Sequence, residues 1–220
     1  MLALRRGQIP DRAAWAIPQP LKHQSIPKDT RVMCPSTHDI TPANVVRYEA
    51  YLLALLKRGN EVLIVSKPHL NVITRLLRTL DHRVPNAPNK VEFRFSITSA
   101  TDTISRKFEP GAPLPTERVA CLRRVIDAGY PASVSMEPYL EDPDNITFFL
   151  SYAGDVFLPD LREFWIGAMN YDVPVELAHL YAPDFMDRCW RLYAERQNAR
   201  FKDSYQKVLH IDSRGRVKQT

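Results

Sequence analysis

The chain has 220 residues, 45% hydrophobic and 25% charged, which suits one sizeable globular domain and excludes disordered, collagen-like and disulfide-stapled classes. Its formal net charge is +5, which is compatible with an anionic partner such as nucleic acid. The basic residues are dispersed except in the tail "RLYAERQNARFKDSYQKVLHIDSRGRVKQT", where a solvated helix face accounts for them.

No apolar run is long enough to span a bilayer; "YLLALL" is the type of the longest. The N-terminus "MLALRRGQIPDR" lacks the apolar core and small-residue cleavage site of a signal peptide, so no membrane partner is expected and the cytoplasm is the expected compartment. The three cysteines, Cys34, Cys121 and Cys189, lie 87 and 68 residues apart, which matches no zinc or iron–sulfur spacing. Their odd number argues against a disulfide framework, and packing is their simplest use.

Residues 1–30 contain Pro10, Pro18, Pro20 and Pro27, which exclude a long regular element. They read as an arm lying on the domain, with Trp15 as an anchor. The remainder, 31–220, reads as one domain ending in a helical segment. "RVMC" is a short strand. "TPANVVRYEAYLLALLKRG" is a helix capped by Thr41, with Pro42 in its first position and Gly59 ending it. "EVLIVS" is a β-branched strand, "LNVITRLLRTL" a helix and "VEFRFSIT" a strand. "PTERVACLRRVIDAG" is a helix, with Thr116 as its cap and Gly129 as its stop. "PASVSMEP" and "EFWIGAMN" are strands on either side of a helix or loop near 147–160, and "PDFMDRCWRLYAERQNARFKDSYQKVL" is mostly helix. Five strands are thus expected near 31–34, 61–66, 91–98, 132–137 and 163–169, alternating with helices as in a parallel α/β sheet.

Strand parity adds a face. Phe93, Phe95 and Ile97 point one way, and Arg94, Ser96 and Thr98 the other; Val134 and Met136 oppose Ser133, Ser135 and Glu137. A sheet covered on both faces would be apolar on both. A polar face predicts a barrel with helices outside and a polar, ligand-holding interior. The strand ends then gather Ser36, Thr37, His38 and Asp39; Ser66 and Lys67; Thr98, Ser99 and Asp102; Glu137; and Met169 and Asn170, where parallel α/β folds bind ligands. Thr37, His38 or Asp39 can accept from an ammonium, Lys67 can meet a carboxylate, and Ser99 or Glu137 can meet ribose hydroxyls. Taken singly, each is more often a cap, a turn residue or a solvated charge. His38 and Glu137 could also serve as base and acid of an ordinary barrel enzyme, but nothing supplies them with a nucleophile.

"VMCPSTHDITP", "GNEVLIVSKPHL", "FRFSITSATD", "FEPGAP", "ERVACLRRVIDAGYPASVSMEP" and "FWIGAMN", in this order, resemble the radical S-adenosylmethionine superfamily, in its spore photoproduct lyase-like (DNA repair photolyase-like) branch, over about 31–170. The resemblance implies a partial β/α barrel. It also implies reductive cleavage of S-adenosylmethionine to a 5′-deoxyadenosyl radical by a 4Fe-4S cluster held through CxxxCxxC. It places the methionine amine at Ser36, Thr37, His38 and Asp39, the methionine carboxylate at Lys67 beside Ser66, and the ribose at Ser99. Glu137 and Asn170 fall at further strand-end positions. No CxxxCxxC occurs in this sequence, so no metal ligand is assigned. The sequence is expected to begin after the first strand and cluster loop, as a truncated member or as half of a split enzyme whose cluster-bearing segment or chain is its partner. The alternative is a non-catalytic module that uses the barrel to bind a nucleotide-like ligand or a protein.

Overall fold

The computed structural model describes residues 26–35, 38–169 and 172–216. Trp15 and most of the expected arm lie outside the described residues, as do Ser36, Thr37 and Asn170.

Six strands form one wholly parallel sheet: β1 (Arg31–Cys34), β2 (Glu61–Ser66), β3 (Val91–Ser96), β4 (Ala132–Met136), β5 (Glu163–Ile166) and β6 (Ala199–Phe201). Their spatial order is their chain order. Right-handed crossovers then put successive helices on one side of the sheet. The helices pack accordingly: α1 (Val45–Lys57) beside α2 (Leu70–Arg83), α2 beside α4 (Pro115–Asp127), and α4 beside α5 (Pro143–Gly154). The short α3 (Asp102–Phe108) precedes α4, and α6 (Pro183–Tyr193) and α7 (Asp203–Leu209) flank β6.

Amphipathic spacing explains the layer. Val72, Ile73, Leu76, Leu77 and Leu80 of α2 recur at helical period, and all are buried. They meet Val62, Ile64, Phe93, Phe95, Val134, Met136, Phe164, Ile166 and Phe201, the alternate residues of the strands, in one core.

The expected strands are present, but three end early: β3 at Ser96, β4 at Met136 and β5 at Ile166. The polar residues beyond them turn to side-chain and loop partners instead of continuing the ladder. The long C-terminal helix expected from the sequence is broken. The chain leaves α6 at Tyr193, runs through β6 and re-enters helix at Asp203. Phe201 is fully buried there, and its N–H donates to the Ser213 carbonyl at 2.7 Å. Asp102, expected as a strand-end ligand, opens α3 and pairs with Arg106 one turn on. α4 starts with Pro115 in its first turn, so Thr116 lies inside the helix rather than at its cap. The Asn44 side chain, not that of Thr41, closes the entry to α1 by accepting from the Thr41 N–H at 2.8 Å. Gly59, with φ of +85°, ends α1 as expected.

Residues 26–30 are tied to the α1–β2 turn. The buried Asn60 amide donates to the carbonyls of Pro27 (2.7 Å) and Thr30 (3.1 Å), and Arg58 donates to that of Ile26 (2.8 Å). Among the described residues no helix is long and apolar enough to cross a membrane.

Candidate functional site

The sheet face opposite the core is polar. Register places Leu63 beside Glu92, Arg94 beside Ser133, Ser133 beside Glu163, Ser135 beside Trp165, and Trp165 beside Arg200. Leu63 is buried but stands apart from the hydrophobic core, as a residue of this other face should. Glu92, 5% exposed, pairs with Arg31 (2.6 Å) and Arg162 (3.4 Å) and accepts from Ser133 Oγ (2.7 Å). Glu163 accepts from Arg94 (2.8 Å) and Trp165 Nε1 (2.9 Å) and pairs with Arg200 (3.2 Å). Arg94 and Lys202 each lie 4.9 Å from the centre of the Trp165 ring. Arg94 Nε is buried with no hydrogen-bond partner among the described residues.

At the C-terminal ends of β1 and β2, Asp39 organises the rim. Its Oδ1 accepts from the Lys67 N–H at 2.6 Å and from Ser66 Oγ at 3.2 Å. Ser66 Oγ accepts in turn from the Ile40 N–H at 3.1 Å. His38 Nε2 meets the hydroxyl of the buried Tyr48 at 2.5 Å, and burial holds the imidazole below its usual pKa.

At the next strand ends, Lys67 Nζ lies 3.6 Å from Glu109 Oε1. Glu109 Oε2 is gripped by Arg118 at 2.6 Å and Thr98 Oγ1 at 2.8 Å. Arg118 is 1% exposed and also donates to the carbonyls of Pro113 (2.7 Å) and Ser96 (3.1 Å), which meets the requirement that a buried charge be paired. Ser99 is buried in a turn of its own. Its Oγ donates to the Thr101 carbonyl (3.0 Å) and accepts from the Thr101 N–H (2.9 Å). Glu141 clasps the same loop through the N–H groups of Ala100 and Thr101.

Glu137 pairs with Lys202 at 2.8 Å. The contact depends on Gly167, where a Cβ would stand 2.8 Å from Glu137 Cγ and 3.0 Å from Lys202 Cβ.

Asp39, Ser66 and Lys67 are thus brought together, with His38 adjacent in the chain. Ser99 and Glu137 sit at neighbouring strand ends, each with its own partner. Glu109, Arg118, Trp165 and Lys202 were not singled out from the sequence. Arg118 left a signal: it shares the apolar stripe of α4 with Cys121, Leu122 and Val125. An arginine on a core-facing stripe calls for a buried anion.

Two surface hollows, of about 440 and 610 Å³, lie on the helix layer, not on the polar sheet face. One is lined by Val46, Arg78 and His82, the other by His69, Thr74 and Glu117.

The three cysteines are separated: Cys34 ends β1, Cys121 is in α4 and Cys189 in α6. All are buried, and burial pushes each thiol up to about 12. Among the described residues no group of three or more His, Cys, Asp or Glu side chains is disposed to hold a metal ion.

The class defined by these observations is an α/β fold of six parallel strands alternating with helices. Compared with known proteins, the chain matches no family model, no curated protein and no solved structure.

Proposed function

We propose that the chain is a partial β/α barrel of the radical S-adenosylmethionine type, which takes an S-adenosylmethionine-like ligand at the C-terminal rim of β1–β4. The observation that carries this reading is the sheet's two-faced character. Helices cover one face, and the other sets Arg94, Ser133, Glu163 and Trp165 side by side, leading to a rim of Asp39, Lys67, Ser99 and Glu137. A packed barrel interior would present branched aliphatics there; a ligand chamber presents polar groups.

The residues present do not fit a four-iron cluster. Three thiolates would have to converge, whereas these thiols are buried, protonated and placed on separate elements. The chain by itself is therefore a binder in this reading, and radical cleavage would require cluster ligands from another segment or chain.

Titration calorimetry of S-adenosylmethionine tests the binding. Without iron chelation we expect a Kd on the order of 0.1–1 mM. Lys67→Ala should weaken it by about 1–3 kcal/mol through loss of a charge-assisted partner of the carboxylate. Undetectable binding, or tight binding indifferent to Lys67→Ala, contradicts the reading.

A further inference from the structure

Glu109 and Lys67 form an acceptor and a donor at one point of the rim, and only one of the two is locked. Glu109 is 12% exposed, and its Oε2 is fixed by Arg118 at 2.6 Å and Thr98 at 2.8 Å. Its Oε1 faces Lys67 Nζ, 28% exposed, at 3.6 Å. That separation exceeds the roughly 2.7–3.2 Å of an N–H···O hydrogen bond, so Oε1 keeps acceptor capacity toward the rim. Arg118 is itself anchored on two carbonyls and nearly inaccessible, so it orients the carboxylate without competing for a ligand. Asp39 is differently employed. Its Oδ1 holds the Lys67 N–H and the Ser66 hydroxyl, and its carbonyl accepts from Asn44 Nδ2 at 3.0 Å. Asp39 shapes the loop.

An α-amino acid terminus presents an ammonium and a carboxylate on one carbon, a few ångströms apart. A fixed carboxylate oxygen beside a partly exposed lysine ammonium held only at 3.6 Å is the complementary pair. We infer that Glu109 is the specificity-determining acceptor for the ligand's α-ammonium and that Lys67 swings from Glu109 to the ligand's α-carboxylate. This rests on the binding reading above and shifts recognition of the ammonium from the His38–Asp39 turn to Glu109.

Lys67 plays two opposed parts here: it attracts the carboxylate and it competes with the ammonium for Glu109. The experiment is calorimetry with three probes on wild type, Lys67→Ala and Glu109→Gln. The probes are S-adenosylmethionine, its decarboxylated form (ammonium and sulfonium, no carboxylate) and 5′-methylthioadenosine (a neutral thioether with neither ammonium nor carboxylate). Lys67→Ala should weaken S-adenosylmethionine about tenfold and tighten the decarboxylated form about threefold, with 5′-methylthioadenosine unchanged. Glu109→Gln keeps an acceptor oxygen for both Thr98 and Arg118, and should cut the preference of the decarboxylated form over 5′-methylthioadenosine about tenfold, the sulfonium accounting for what remains. If that variant fails to fold, the opposite response of the two ligands to Lys67→Ala decides the matter alone. Equal effects of Lys67→Ala on both ligands, or a preference for the decarboxylated form left undiminished by Glu109→Gln, overturn the inference while leaving the binding reading intact. If no probe binds wild type, both fall.

Discussion

Arg118 has its guanidinium inside the protein, and the partners that make this tolerable come from elsewhere in the chain: Glu109, the hydroxyls of Thr98 and Ser105, and the carbonyls of Ser96 and Pro113. Arg118→Met should destabilise the fold by about 3–5 kcal/mol in urea unfolding, because it removes the closest cation from Glu109 in a largely buried place and leaves only the longer Lys67 contact and the Thr98 hydroxyl. Adding Glu109→Gln should restore a substantial part of that loss. Additive losses in the double variant would show that the two residues act independently. His38 is a histidine whose environment links its charge state to stability. Burial, opposed by Asp39 and aided by Arg47, holds its folded pKa below the unfolded value of about 6.5. Between those two values the unfolded chain binds more protons, so stability falls as pH drops below about 6.5 through the folded pKa, and is unaffected above. The thermal midpoint should therefore fall more steeply on acidification in wild type than in His38→Gln; identical pH profiles would contradict this. Of these residues the sequence displayed His38, in a run of polar residues after a strand. Glu109 and Arg118 were visible only as letters in "FEPGAP" and in an amphipathic helix, since their meeting depends on how α3 and α4 return to β3.

At the scale of elements, the five longer strands were legible because β-branched and aromatic runs end at proline, glycine or polar residues. Their lengths were not. Thr98 and Glu137 continue the alternation of their strands but bond outside the ladder, to Glu109 and Lys202. β6 was missed for a physical reason: "ARF" is three residues long, and its alternation is too short to be told from a turn of the helices on either side. Its importance is out of proportion to its length. Phe201 is fully buried, 5.5 Å from the Tyr205 ring, and β6 closes the β5 edge of the sheet. Phe201→Ala should cost about 3–5 kcal/mol in urea unfolding. A loss below about 1 kcal/mol would mean that β6 is a peripheral flap, not part of the cooperative core.

At the scale of the molecule, a sheet with strands in chain order has no point where the order reverses, and so no crevice of the doubly wound kind. What it has instead is a polar, largely buried face with Glu92 and Glu163 threading Arg31, Arg94, Arg162 and Arg200 together. The alternation in "VEFRFSIT" and "PASVSMEP" revealed that face. The pairing across it was not readable, because it joins residues from four strands. The central claim is that a ligand of the S-adenosylmethionine type sits where this face meets the strand ends. Amide hydrogen exchange with and without several millimolar S-adenosylmethionine tests it most directly. The account predicts slower exchange confined to peptides covering 38–40, 66–69, 97–101, 109–112 and 137–140, with the helix layer unchanged. Protection of the hollow lined by Val46, Arg78 and His82 instead, or no protection anywhere, would contradict it.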